Sequence, residues 1–197
     1  MAEIELIIGC MFSGKTAELI KRLRREQVCG HKIQLFKPKL DDRYKKETVV
    51  SHDKDSLVAI PVISTTEIYK HLEEDTAVIG IDEVQFFDDK IIDFCLEQAN
   101  CRKIIISGLN LDFRGEPFSF IDSEKTIWDL APHAFITQQK AVCTYSDEKG
   151  VCKKEANFTQ RLIDGKPASY DSPLILVGAK ESYEARCKEH FVAPKKI

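Results

Sequence analysis

The sequence is poor in several features that would each assign a class. It has no apolar stretch near the roughly 18 residues that a membrane-spanning helix needs, and its first residues, MAEIELII, carry no charged-then-apolar leader with a cleavage site. A soluble, cytoplasmic protein with no membrane partner is the expectation. It also lacks an excess of positive charge: 29 Lys and Arg stand against 32 Asp and Glu, for a formal net charge of -3. No global basic field therefore points to a nucleic-acid partner. The densest basic run, KRLRR at 21–25, reads as a solvated helix end whose cations suit the negative pole of the helix. Internal repeats and low-complexity tracts are absent. With 197 residues the chain is short for two full domains, so one main domain with a small appendage is the economical reading. Its seven cysteines are an odd number. Cys10, Cys29, Cys95 and Cys101 stand singly in apolar or helical contexts and are expected to be small buried hydrophobes in a reducing compartment.

What is present is an alternation of apolar runs and helical patterns. IELIIG (4–9) is a short apolar run bounded by glycine, which predicts a buried strand. The segment after it predicts a helix with Ala17, Ile20, Leu23 and Gln27 on one face, ending at Gly30. HKIQLFKP (31–38), AVIGIDE (77–83) and RKIIISGLN (102–110) predict further strands, and DKIIDFCLEQAN (89–100) a helix. Strands alternating with helices predict a mostly parallel sheet covered on both faces. From Lys140 onward that alternation gives way to Cys, Gly, Pro and polar residues, including the loop-like DGKPASYDSP (164–173). The boundary falls near Gln138 to Lys140, giving units 1–139 and 140–197.

Gly9 to Thr16 reads G-x-x-x-x-G-K-T, with Met11, Phe12 and Ser13 inside it and Gly14 and Lys15 near its end. It lies directly after a predicted strand and before a predicted helix, where backbone N–H groups and the positive end of the helix converge on an anion. Lys15 would reach the outer phosphates of ATP and the Thr16 hydroxyl would ligate Mg2+. Asp82, at the end of an apolar strand, is the candidate second magnesium ligand. Glu83 beside it is the candidate base toward an attacking water or substrate hydroxyl; an ordinary surface acid at a strand end is the plainer alternative.

No N-K-x-D segment follows, which disfavours a guanine-selective switch, and motor ATPases need more chain. A compact domain with a lid-like appendage suits a small-molecule kinase, which must keep water from the γ-phosphoryl group. Two rivals stay open: a phosphate-loop ATPase that activates water through Glu83, and a nucleotide-switch adaptor with a zinc ribbon. In the tail, Cys187-x-x-His190 is a close thiolate and imidazole pair, the usual half of a tetrahedral zinc site. Four protein ligands would make such a metal structural, offsetting the small core that a tail of this length can build.

The blocks GCMFSGKTAELIKR, FKPKLDDRY, SHD, IDEVQFF, SGLNLDFRGEPF, TQR and VGAKESYEARC follow one another along nearly the whole chain. In that order they resemble the motifs of the cytosolic, zinc-containing thymidine kinases. The resemblance implies a RecA-like α/β phosphate-loop fold with a small zinc lobe and a lasso loop. It also implies ATP-dependent phosphorylation of the 5′-hydroxyl of thymidine or deoxyuridine, a homotetramer, and feedback binding of dTTP. Matched by position, Glu83 is the general base, and Asp41 and Arg43 are the acidic and basic pair near magnesium and the phosphates. Arg114 and Arg161 are the other candidates to assist transfer. Met11, Phe86, Leu109, Phe113 and Phe118 match positions around the nucleoside, although any one of these rings reads equally well as plain core. Leu176, Val177 and Gly178 match the lasso over the base, with Tyr183 packing behind.

Two departures accompany the resemblance. Where that family commonly has C-x-x-C, this chain has Cys143, eight intervening residues (TYSDEKGV) and then Cys152. The reading is an insertion that keeps both thiolates, so that Cys143, Cys152, Cys187 and His190 would bind zinc; an empty lobe, an oxidised Cys143 and Cys152 pair, or another ligand are the alternatives. Asn110 stands where bacterial members often have an acid.

Overall fold

The computed structural model describes residues 3–39, 48–50, 56–175 and 181–196. Six strands form the central sheet: β1 (Ile4–Gly9), β2 (Ile33–Pro38), β3 (Ile60–Val62), β4 (Val78–Ile81), β5 (Lys103–Leu109) and β6 (Ala134–Gln138). Their spatial order is β3-β2-β4-β5-β1-β6, and every neighbouring pair is parallel. A parallel sheet needs both faces covered, and the strands are accordingly apolar on both. Helix α1 (Lys15–Val28) lays Leu19, Ile20 and Leu23 against Ile7, Leu35, Val78 and Ile105. On the opposite face Leu6, Ile8, Ile79, Ile81, Ile104 and Ile106 meet Ile68 of α2 (Thr65–His71) and Ile91, Phe94 and Cys95 of α3 (Lys90–Gln98). The two-residue period of the strand sends Ile7 one way and Leu6 and Ile8 the other.

Several expectations change in detail. The buried stripe of α1 is Leu19, Ile20 and Leu23; Ala17 is half-buried and Gln27 exposed, because the last turn of the helix runs out into solvent. Arg22, inside the basic run, is not a solvated cation: its guanidinium pairs with Glu5 at 2.7 Å and Glu18 at 2.9 Å and donates to the Thr137 hydroxyl. It thereby ties α1 to β1 and β6. Of the four single cysteines, Cys10 and Cys95 are buried while Cys29 and Cys101 are exposed, each at or just beyond the end of a helix. Strand β6 has no counterpart in the sequence reading. Its Phe135 and Ile136 are both solvent-exposed, as an outermost strand permits, so the segment carries no buried-strand signature.

The tail is all β among the described residues. Strand β7 (Phe158–Ile163) pairs antiparallel with β8 (Glu181–Arg186), and Asp164 and Gly165, both at positive φ, turn β7 back onto Lys166–Pro167. Asp-Gly is a favoured hairpin turn, so the start of the loop-like segment is a hairpin. A small cluster of Ala141, Cys143, Ala156, Ala185 and Cys187 forms the lobe's interior, and Cys10 of the main domain joins it.

Candidate active site

The turn from β1 into α1 is shaped by two glycines. At Gly9 a Cβ would lie 2.4 Å from the Gln139 carbonyl oxygen, so no side chain fits there. Gly14 caps α1 at φ 84, in the left-handed region that glycine enters without steric cost. Phe12 takes φ 66 and turns a half-exposed ring outward. Lys15 is buried, with its ammonium group folded back onto the Cys10 carbonyl at 2.8 Å. The Ser13 hydroxyl is buried without a hydrogen-bond partner among the described residues. A buried hydroxyl left in that state is uncommon, and phosphate oxygens cradled by the loop would satisfy it.

Because β5 separates β1 from β4, the ends of these two strands stand one strand apart, and the first turn of α1 faces Asp82 across the gap. The Thr16 hydroxyl donates to Asp82 Oδ2 at 3.2 Å, and the Ser107 hydroxyl on β5 donates to Oδ1. Burial pushes the Asp82 carboxyl up to about 6, and the charge of Glu83 adds to this; the Ser107 hydroxyl, the Glu83 amide and Lys15 act the other way. A buried carboxylate beside a hydroxyl oxygen is a hard-oxygen donor set that fits a divalent cation, whose charge would reverse the effect of burial.

Glu83 follows at φ 50, a left-handed conformation that is unusual for a residue with a Cβ. Its Oε2 accepts a hydrogen bond from Gln85 Nε2 at 2.5 Å. Phe86 then packs edge-on against Phe118, with ring centroids 5.6 Å apart. The loop after β5 returns on itself through the Leu111 and Pro117 bridge and carries Asn110, Phe113 and Phe118, all buried. Asn110 Oδ1 has no partner among the described residues.

Two guanidinium groups approach the Phe113 ring, Arg114 at 4.9 Å and Arg161 at 5.0 Å from the centroid. Both arginines also hold part of the expected lasso, the segment 164–183. Arg114 donates to the carbonyls of Tyr170 (2.9 Å) and Ser172 (3.0 Å), and Arg161 to that of Pro173 (2.5 Å). Arg161 further approaches the Tyr183 ring at 6.0 Å. Of the remaining expected residues, Asp41, Arg43, Leu176, Val177 and Gly178 lie outside the described residues.

In the lobe, the ligand atoms of Cys143, Cys152, Cys187 and His190 all lie within 4.8 Å of one another. Cys187 Sγ is 3.4 Å and Cys143 Sγ 3.8 Å from His190 Nδ1, and Cys152 Sγ is 3.9 Å from Cys187 Sγ. A tetrahedral zinc ion, with bonds of about 2.3 Å to sulfur and about 2.0–2.1 Å to nitrogen, sets its ligand atoms roughly 3.5–3.8 Å apart. The cluster could therefore form a zinc site. The long knuckle is accommodated as a β-hairpin in which Ser146 faces Val151 and Asp147 faces Gly150, returning Cys152 beside Tyr145.

A parallel sheet with this glycine loop at the head of α1 and a buried aspartate facing it defines a phosphate-loop nucleotide-binding protein. The family model for thymidine kinase matches residues 2–191. The chain belongs to the thymidine kinase family, and it phosphorylates thymidine at the expense of ATP in nucleoside salvage. Among the described residues no helix is long and apolar enough to cross a membrane. Gln85, Ser107 and Thr159 contact candidate site residues but carry no role in the sequence analysis; each lies in one of the quoted blocks, IDEVQFF, SGLNLDFRGEPF and TQR, which was the signal available.

Proposed function

We propose that Glu83 is the general base for transfer of the γ-phosphoryl group of ATP to the 5′-hydroxyl of thymidine, with deoxyuridine as a second acceptor. The loop amides, Gly9, Met11, Phe12, Ser13, Gly14 and Lys15 hold the triphosphate. Thr16 and Asp82 are the residues that would hold Mg2+, which when bound neutralises charge on the β- and γ-phosphates. Glu83 accepts the 5′-hydroxyl proton as that oxygen bonds to the γ-phosphorus and the bond to ADP breaks. The observation that carries this reading is the hydrogen bond from Thr16 to Asp82, which brings the residue next to Glu83 into direct contact with the phosphate loop.

Met11, Phe86, Leu109, Phe113, Phe118 and Tyr183 surround the nucleoside, and the main chain at Leu176, Val177 and Gly178 reads the pyrimidine edge. The two arginines that grip the carbonyls at 170–173 support that arrangement, since they fasten the base of such a loop to the Phe113 ring. Arg43, with Asp41, is the pair proposed for the phosphates because it lies in the block FKPKLDDRY that resembles the family's motif. The division into a kinase domain, 1–139, and a lobe, 140–197, is supported by the end of the parallel sheet at Gln138 and the antiparallel pairing after it. Zinc at Cys143, Cys152, Cys187 and His190 holds the lobe together. A homotetramer is supported by the exposed Phe135 and Ile136 on outermost strand β6, feedback by dTTP by a site that accepts both thymidine and a triphosphate, and a cytoplasmic location by free thiols.

Glu83→Gln tests the assignment. The variant keeps thymidine binding, measured by calorimetry, and loses about 10²–10⁴ in kcat; equal kcat in the two proteins removes Glu83 from the mechanism.

A further inference from the structure

Gln85 lies two residues beyond Glu83 and has no solvent exposure at all. Its amide is used at both ends. Nε2 donates to Glu83 Oε2 at 2.5 Å, and Oε1 accepts the backbone N–H of Leu109 at 3.0 Å. Leu109 is the last residue of β5, the strand beside the one that delivers Asp82 and Glu83. The space for this bridge comes from Gly108, where a Cβ would stand 2.8 Å from Gln85 Oε1.

Glu83 needs such a restraint. Its backbone sits at φ 50, ψ 44, a conformation that disfavours an L-residue and persists only where surrounding contacts hold it. The backbone is held by the Glu83 N–H donating to Asp82 Oδ1 at 3.0 Å and by the Phe86 N–H donating to the Glu83 carbonyl at 3.1 Å. Neither bond fixes the carboxylate, which reaches the site through three rotatable side-chain bonds. The Gln85 amide does fix it.

We infer that Gln85 is a positioning residue for phosphoryl transfer: its amide pins Glu83 Oε2 to the end of β5, so that Oε1 is the oxygen turned to the acceptor hydroxyl. An amide serves here where a carboxylate or an apolar side chain would not. Of these three, the amide alone donates to one partner and accepts from the other, and Glu83 as an acceptor requires the donor end. The bridge also sets the carboxylate relative to Leu109, a residue assigned to the nucleoside side, so one side chain registers the base against the acceptor. A misplacement on the order of 1 Å at such a contact costs about 10²-fold in rate.

This inference rests on Glu83 being the base, and the experiment separates the two. Gln85→Glu keeps the acceptor for the Leu109 N–H and loses the donor to Glu83. It is expected to lower kcat at least tenfold, with thymidine Kd and ATP KM within about twofold of wild type. In a Glu83→Gln background the same substitution is expected to change the residual turnover less than twofold, because there is no longer a base to position. Gln85→Met, of similar length and uncharged, loses both hydrogen bonds and provides a second cycle should the added carboxylate prevent folding. A wild-type kcat in the folded Gln85 variants overturns the inference, as does an equal loss in the Glu83→Gln background, which would mark Gln85 as a packing residue only. A wild-type kcat in Glu83→Gln alone overturns the base assignment and, with it, the clamp.

Discussion

The backbone N–H of Met11 donates to the Thr159 hydroxyl at 3.0 Å, joining the phosphate loop to strand β7 across 148 residues of chain. Beside it the Cys10 thiol donates to the Ala156 carbonyl at 3.4 Å. The phosphate loop is thus braced from the segment that carries the cysteine cluster. Condition of the lobe should therefore be felt at the triphosphate.

Thr159→Val tests the brace. Valine keeps the shape and removes the acceptor, leaving a partly buried N–H unpaired at a cost of about 1–3 kcal/mol. The expected outcome is a lower melting temperature and an ATP KM raised several-fold, with zinc content unchanged. An ATP KM equal to wild type would show that the loop keeps its form without the lobe.

Metal analysis of the purified protein is expected to give about one zinc per chain. Cys187→Ala removes a buried ligand that both lies near His190 and joins the lobe's interior. It should release the metal and speed amide hydrogen exchange throughout 141–196, because a lobe this small depends on its metal. Retention of zinc by the variant would exclude the four-ligand assignment.

Asp82→Asn separates stability from activity. The Asp82 carboxyl is raised by burial from its ordinary value near 3.8 to about 6 in the folded protein. Below pH 4 it is protonated in both states and costs nothing; between pH 4 and 6 the unfolded chain ionises first, so stability falls as pH rises, and above 6 the whole penalty is present. In metal-free protein at pH 8 the asparagine variant should therefore melt higher, an advantage that shrinks as pH falls toward 4, while kinase activity is lost. An equal difference in melting temperature between the two proteins at pH 8 and pH 4 would contradict this account.

Arg114→Met removes the donors to the Tyr170 and Ser172 carbonyls and the cation over Phe113 while keeping much of the side chain's length. Amide exchange across 169–175 should accelerate and the thymidine KM should rise several-fold, with the ATP KM unchanged. Unaltered exchange in that segment would mean that Arg161 and the hairpin suffice to hold it.

How much of this was legible in the sequence differs from part to part, for physical reasons. The phosphate loop is contiguous, with its glycines shaping the turn and its lysine and threonine next in sequence, so Gly9 to Thr16 could be read off directly. The placement of Asp82 and Glu83 at a strand end was legible from the apolar run before them, which folds as the strand Val78–Ile81. Gln85 was not, because its partner Leu109 belongs to another strand and its room comes from Gly108, neither of which local spacing reveals. Strand β6 escaped for the opposite reason: its outward Phe135 and Ile136 break the pattern by which buried strands are recognised. The roles of Arg114 and Arg161 depend on where residues 170–173 return in space, which local spacing does not encode.

The inserted knuckle has a lesson of its own. An antiparallel ladder gains length one rung at a time, each rung taking a residue from both sides, so the finger at 146–151 can lengthen or shorten in pairs while the thiols at its root stay still. An odd increment would turn one flank over and swing a sulfur away unless a bulge absorbed it. Parity, more than distance along the chain, is then the rule by which altered spacings in such fingers should be judged.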